Sequence, residues 1–391
     1  MAEQIDSRPF YRRALGKSFW LSVNALRRTR KRTAKNSRRL YVEATSTLHD
    51  TWRAVRRRLG KVYYNSFRVW GLTKKNAKRL RRRIYHRGRY TSAGRAVLAV
   101  SEVATSPRDA FQRKAAAVAY NRQHPAAQLN RDNGYAMLPP GALPGTAEII
   151  GLAVRLFAKK KRELEAAAGP DTAMHGKKWA FMRSVLSNED LAQHPEFVDF
   201  ALSDSLLSLV TNYLGTVPHL NRIDLLYSVA HGHDDTVSSQ IYHLDPEGMR
   251  QAKLFLNLRE VGPDEGPFTF IPASETSRIT RAIRQRRDAD MAMARYLDSE
   301  LAEVGGLDKA MAVMGPAGSA GLVDTSRCLH FGSRVKPGTY RLCLYIQYCA
   351  SREHGNIFDA TRYVADRVRY LATVNSHRST HAPVSAPHQM N

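Results

Sequence analysis

Apolar positions along this chain follow two rules. As far as residue 214 they recur mainly at the three- and four-residue spacing of helices, and from 223 to 349 they gather in short runs broken by turns. Tyr11, Leu15, Phe19, Val23 and Leu26 make one helical stripe, and Trp52, Val55, Leu59, Val62, Tyr63, Phe67 and Trp70 make a second. Thr73 is placed to cap a third helix. Ser106 and Pro107 form an N-cap and first-turn pair for a helix reaching residue 121, because the N–H that proline lacks is not needed there. Helices are also predicted over 146–168, 177–186 and 196–214, and a short strand over 134–138.

The runs at 223–229, 236–243, 253–260, 267–271, 320–324, 328–333 and 341–349 read as strands. Many short strands in succession predict a β-sandwich or barrel, here interrupted by a charged helical insertion at about 278–314. The expected class is α+β. The chain then has a basic, mainly helical region over 1–121, a strand-rich domain over 122–374, and a disordered tail over 375–391 rich in Ser, His and Pro.

Hydrophobic residues at 43% and charged residues at 25% are ordinary for a globular protein of 391 residues. The distribution of charge is not. Residues 1–95 hold 28 of the 61 basic and 4 of the 35 acidic side chains, so +24 of the net +26 lies in the first quarter. Arginine and lysine mixed with Trp, Tyr and Phe suit an anionic membrane surface, with apolar faces inserted and basic flanks on headgroups. Nucleic acid is a weaker fit, because the aromatics keep helical spacing and no nucleic-acid motif accompanies them. A solvated basic extension with neither partner is the third reading.

Cys328, Cys343 and Cys349 lack metal-ligand spacing and have apolar neighbours, which predicts buried thiols in a reducing compartment. No apolar run approaches the roughly 20 residues of a membrane span, and the first residues lack the apolar core of a secretory signal. The expectation is a cytoplasmic protein, soluble or peripheral to a membrane.

His243-Leu244-Asp245 ends a predicted strand, where positions i and i+2 share a face, so an imidazole and a carboxylate converge. A distant histidine beside them would complete the two-histidine, one-carboxylate face of non-haem Fe(II) oxygenases, which leaves adjacent positions open for an oxoacid and dioxygen. The tripeptide alone is unspecific. The order of motifs around it is more telling.

Ser239-Gln240-Ile241-Tyr242-His243-Leu244-Asp245-Pro246-Glu247-Gly248 is followed by Lys253-Leu254-Phe255-Leu256-Asn257-Leu258 and then Gly266-Pro267-Phe268-Thr269-Phe270-Ile271-Pro272-Ala273-Ser274. In order and spacing this resembles the phytanoyl-CoA dioxygenase family. Asp324-Thr325-Ser326-Arg327-Cys328-Leu329-His330-Phe331-Gly332 and Arg341-Leu342-Cys343-Leu344 match that family's distal-histidine and arginine strands, and the resemblance spans about 133–350. It implies a double-stranded β-helix, a jelly-roll variant. It further implies His243, Asp245 and His330 as catalytic metal ligands for Fe(II), and Arg341 as the partner of the distal carboxylate of the co-substrate 2-oxoglutarate.

Arg341 earns that role on physical grounds as well. It lies in an otherwise apolar strand, where an unpaired guanidinium is costly to bury, and a guanidinium forks onto a carboxylate through two parallel hydrogen bonds. Arg334, in a loop four residues after His330, is the rival. Lys253 and Asn257 are candidates to line the cofactor pocket, with Tyr348 beside them. The cluster His231, His233, Asp234 and Asp235 reads as loop chemistry rather than a second metal site.

Glu275 stands where the family often has a histidine, a position that is not a metal ligand. Asp245 fills the place that related halogenases leave small for a halide, so hydroxylation or another C–H oxidation is expected. The leading function is a dioxygenase that hydroxylates a small-molecule, lipid or sugar substrate and releases succinate and carbon dioxide. The contrasting reading is a non-catalytic jelly-roll module whose basic N-terminal region binds nucleic acid or anionic membrane. A third is a cupin-type metal enzyme independent of the oxoacid.

Overall fold

The computed structural model describes residues 107–125, 129–166, 180–230, 236, 238–245, 250–287, 295–351 and 355–374. The chain divides into two compact units, Met1–Ile84 and Tyr85–Asn391, and every described residue belongs to the second. The expected basic helices, the 231–235 cluster and the 375–391 tail lie outside the described residues.

In chain order the elements are α1 (Pro107–Gln123), β1 (Tyr135–Leu138), α2 (Thr146–Ala166), β2 (Met182–Ser184), α3 (Asn188–Gln193), α4 (Glu196–Ala201), α5 (Asp204–Leu214) and β3 (His219–Val229). There follow β4 (Tyr242–His243), β5 (Gln251–Asn257), β6 (Thr269–Ile271), α6 (Ala273–Arg286), β7 (Arg295–Tyr296), α7 (Asp298–Ala302) and β8 (Met311–Ala312). The last are β9 (Ala320–Val323), β10 (Leu329–Phe331), β11 (Tyr340–Cys349) and α8 (Arg367–Thr373).

These strands make two antiparallel sheets, six-stranded in the order β1-β9-β5-β11-β3-β2 and five-stranded in the order β7-β4-β10-β6-β8. The period-two alternation of a strand explains how they pack. On β11, Leu342, Leu344, Ile346 and Tyr348 join a cluster with Ile149, Leu156 and Phe157 of α2, Phe197 of α4, and Leu207 and Val210 of α5. On the other face of β11, Cys343 and Tyr345 join Phe255, Val323, Phe268, Phe270 and Val313, which fill the space between the sheets. With both faces covered, β11 reads as a nearly continuous apolar run. The outer face of the smaller sheet (Tyr242, Ile271 and Leu329) is closed by Ile279 and Ile283 of α6. The described unit is thus a mixed helix and antiparallel-sheet fold, with one apolar cluster between the larger sheet and the helices and a smaller one between the two sheets.

Several elements differ from expectation. The helix predicted over 177–186 gives way to β2, because Met182, Arg183 and Ser184 pair with Ser228, Tyr227 and Leu226 on the edge of the larger sheet. Such pairing overrides local propensity. The helix predicted over 196–214 is two helices, α4 and α5, parted at Ser203, whose extended backbone (φ −58°, ψ 147°) starts α5. The strand predicted over 236–243 is only Tyr242 and His243, preceded by a 3-10 turn. The stretch at 278–314 is helical in α6 and α7 and also supplies β7 and β8 to the smaller sheet.

Helix α1 belongs to the folded unit, so the boundary expected at residue 121 falls inside a packed helix. Arg113 is buried and donates to the Pro218 carbonyl at 3.2 Å. Tyr120 donates to Asp204 Oδ1 at 2.7 Å, and Ala117 and Tyr120 lie in the main core. Among the described residues no helix is long and apolar enough to cross a membrane.

Candidate metal centre

β4 and β10 meet through a single residue pair, His243 opposite His330. Their neighbours Tyr242 and Leu329 pack outward against α6, so alternation turns both imidazoles inward. Asp245 follows the end of β4. Its backbone N–H donates to the Thr325 carbonyl at 2.9 Å, a second tie that holds the carboxylate beside His330.

The two rings stand 4.4 Å apart between centroids. His243 Nε2 lies 3.6 Å from Asp245 Oδ1, and His330 Nε2 lies 3.4 Å from Asp245 Oδ2. One ligand atom from each residue falls within 4.8 Å of the others, a spacing that admits one metal ion. Each histidine places Nδ1 against the carbonyl two residues earlier, Ile241 at 2.8 Å and Cys328 at 2.9 Å. With Nδ1–H donating there, Nε2 keeps its lone pair and faces the centre, the tautomer that a metal requires.

Burial lowers the pKa of His330 and so keeps the ring neutral. Burial alone would raise that of Asp245, but the Lys253 ammonium leads the charges that outweigh it and hold the carboxyl well below its usual range. Two imidazole lone pairs and an ionised carboxylate are a donor set that fits a divalent cation.

Arg341 lies opposite Ser228 on β3 and is 2% exposed. Its Nη2 donates to Ser333 Oγ at 3.1 Å, while Nε and Nη1 have no hydrogen-bond partner. Burial lowers its pKa, and no carboxylate pairs with it among the described residues. A buried guanidinium with two unpartnered donors needs an anion. Its place is beside the metal centre: a Cβ on Gly332, two residues after His330, would lie 3.5 Å from Nη2. Arg334, the rival, forks onto Asp298 at 2.6 and 2.8 Å and stacks on Phe331.

Of the other candidates, Lys253 and Asn257 share the inward face of β5. Lys253 Nζ donates to Asp245 Oδ2 at 2.6 Å. Asn257 donates to the Val313 carbonyl at 3.3 Å and sits opposite Cys343, farther along toward Arg341. Tyr348 does not line the site. It is on the helix-covered face of β11, where its hydroxyl donates to the Ala201 carbonyl at 2.7 Å. The three cysteines are buried thiols outside any disulfide, as expected.

Sequence reasoning missed Ser333 and Ser228, whose hydroxyls share a hydrogen bond of 2.9 Å behind Arg341. Ser333 adopts the left-handed conformation (φ 65°), at a cost of about 1–2 kcal/mol. It is held there by bonds from Gln240 Nε2 to its carbonyl and from its N–H to Gly266. Nothing in a Gly-Ser pair announces such a role. The stacked Phe255 and Phe268, 3.7 Å between centroids, form an apolar wall beneath His330.

No family model matches this chain, and no curated protein is similar to it. Solved structures are similar at low identity. EctD from S. alaskensis, crystallised with bound Fe, aligns over 60% of this chain and 79% of its own, with 18% identity and a TM-score of 0.39. SnoN, a non-heme alpha ketoglutarate dependent epimerase from nogalamycin biosynthesis, aligns over 59% and 82%, with 15% identity and a TM-score of 0.33. AviO1 from Streptomyces viridochromogenes Tue57 aligns over 57% and 94%, with 16% identity and a TM-score of 0.34.

Proposed function

We propose that this chain is a non-haem Fe(II)- and 2-oxoglutarate-dependent dioxygenase that hydroxylates a small-molecule, lipid or sugar substrate. One juxtaposition carries the reading. His243, Asp245 and His330 converge on a metal-sized space, and a buried guanidinium without a carboxylate partner stands on the same interior wall. The two antiparallel sheets around them fit the double-stranded β-helix that the phytanoyl-CoA dioxygenase resemblance implies.

When bound, Fe(II) and 2-oxoglutarate supply the oxidising chemistry, in which dioxygen is reduced as the oxoacid loses carbon dioxide and becomes succinate. The protein binds and orients. His243 and His330 present Nε2, fixed by their Nδ1 bonds to backbone carbonyls, and Asp245 supplies the negative charge. Ligands confined to one face leave the opposite positions for the oxoacid and dioxygen. Arg341 would hold the distal carboxylate, and Ser333 keeps the guanidinium in place. Gly332 and His330 are two residues apart, roughly 7 Å of extended chain, a span that a five-carbon oxoacid bridges. The stacked Phe255 and Phe268 exclude water from that side.

The test is an anaerobic titration of the Fe(II)-loaded protein with 2-oxoglutarate, following the charge-transfer absorption of a chelated 2-oxoacid. A saturable band that is lost in Arg341→Leu is the expected result. Iron binding without any response to 2-oxoglutarate points to a cupin-type enzyme, and failure to bind iron leaves the non-catalytic module.

A further inference from the structure

We propose that Lys253 is a positioning residue for the metal centre. It acts as a cation built into the larger sheet that holds Asp245 in place and weakens metal binding. The inference rests on the metal-centre reading above.

Lys253 lies in the middle of β5, paired with Val323 of β9 on one side and Gln347 of β11 on the other. Its neighbours Ala252 and Leu254 are fully buried on the helix-covered face, so alternation sends Lys253 into the space between the sheets. It is 5% exposed there. Lysine is almost never so deeply buried without a charged partner. Its ammonium donates to Asp245 Oδ2 at 2.6 Å and lies 5.6 Å from the centre of the Tyr345 ring. Two strand pairings fix the backbone beneath it, so the ammonium cannot leave without breaking the sheet or swinging the whole side chain.

The contact points Lys253 at a metal ligand rather than at the oxoacid. Asp245 has two oxygens. Oδ2, which also lies 3.4 Å from His330 Nε2, accepts from the ammonium, and Oδ1 lies 3.6 Å from His243 Nε2. Charge sets the sign of the effect. In the metal-free protein Lys253 places a positive charge directly against the buried carboxylate. A bound dication and the ammonium would then share one carboxylate as like charges. At an effective dielectric of about 20, repulsion over such a distance exceeds a factor of about ten in binding constant.

Co(II) is the probe, because calorimetry gives its affinity and its visible absorption reports coordination number. Wild type, Lys253→Met and Lys253→Arg are compared, with the melting temperatures of the metal-free proteins measured alongside. Lys253→Met should bind Co(II) about tenfold tighter or more and melt lower without metal. Lys253→Arg keeps the charge and should resemble wild type. The double variant Asp245→Asn with Lys253→Met removes both charges and should regain most of the metal-free melting temperature. Equal or weaker Co(II) binding by folded Lys253→Met overturns the proposal, as does an unchanged metal-free melting temperature. If Lys253→Met does not fold, the double variant decides: recovery supports the charge-balance role, and failure reduces Lys253 to core packing. A wild type that binds no Co(II) overturns the metal-centre reading instead.

Discussion

His243 and His330 face each other as the only residue pair joining β4 to β10, with ring centroids 4.4 Å apart. The register that opposes them is set on the far side of the sheet, where Tyr242 and Leu329 pack against Ile279 and Ile283. A slip of β10 by one residue would replace His330 with Leu329 or Phe331 and turn a nitrogen donor into the α6 cluster. The centre is therefore a property of strand register and of the apolar packing behind it.

The first prediction concerns the donors. His243→Ala, Asp245→Ala and His330→Ala should each abolish measurable Fe(II) or Mn(II) binding in titration calorimetry, while circular dichroism stays that of the folded protein. Removing a donor leaves two, too few for the facial arrangement. Undiminished stoichiometric binding in the His243→Ala, Asp245→Ala double variant would sink the assignment.

The two arginines should part company. Arg341→Leu removes a charge-assisted pair of hydrogen bonds to the oxoacid, worth roughly 1.5–3 kcal/mol, so 2-oxoglutarate affinity should fall about ten- to 150-fold with metal binding kept. It also removes a buried charge without a counter-ion, so the oxoacid-free protein should melt higher than wild type. Arg334→Leu breaks a part-exposed pair with Asp298, worth about 1 kcal/mol or less, and should leave oxoacid affinity alone. The reverse pattern would move the anchor to Arg334.

Strand parity made part of this site legible in the sequence. His243 and Asp245 differ by two and converge, and Lys253 and Asn257 differ by four and share a face. The same parity was available for Tyr348, seven residues from Arg341 and hence on the opposite face of β11. What stayed hidden depends on partners remote in the chain. Arg183 looks helical until Tyr227 is seen opposite it, and alternation shows neither which face Lys253 takes nor its bond to Asp245. Ser333 takes its left-handed backbone from Gln240 and Gly266, contacts that no local pattern records.

Acid should act in two stages. The pKa of His330 is lowered from 6.5 by burial, so below about 6.5 the unfolded chain binds the proton first and stability falls as pH falls toward the folded value. Asp245, although burial opposes it, is held below 3.8 by Lys253. Its contribution is therefore present above 3.8 and is lost as pH falls through its folded value. Divalent metal affinity should decline as pH falls through the folded value of His330, because a protonated Nε2 cannot ligate. Denaturant melts of the metal-free protein from pH 7.5 to 3 test this. A His330→Gln profile that still tracked wild type below 6.5 would assign the first stage to other groups.

Gly266 should be intolerant of alanine. Its φ is +66°, and a Cβ there would lie 2.7 Å from the backbone of Arg334 and Val335. The conformation alone costs a non-glycine residue about 1–2 kcal/mol, and the clash with backbone adds to it. Because the Gly266 carbonyl accepts from Ser333, the displacement reaches Arg341. Gly266→Ala should lower both the melting temperature and 2-oxoglutarate affinity. Lower stability with unchanged affinity would show that Ser333 does not depend on this contact.

Where the chain can be shortened depends on α1. A chain beginning at residue 122 loses Arg113 and Tyr120 from their buried contacts with Pro218 and Asp204, and it should be markedly less stable. One beginning at residue 105 keeps them and should fold and bind Fe(II). That shorter chain separates the folded unit from residues 1–95, which carry +24 of the net charge and only two histidines, His49 and His86. The basic, aromatic-striped composition predicts that full-length protein sediments with anionic phospholipid vesicles at low salt. It should release as salt rises, since charges are screened beyond about 8 Å at physiological ionic strength. The chain from residue 105 should stay in the supernatant. Equal sedimentation by both would put the binding surface on the folded unit, and binding of duplex DNA without binding of vesicles would make nucleic acid the partner of the basic region.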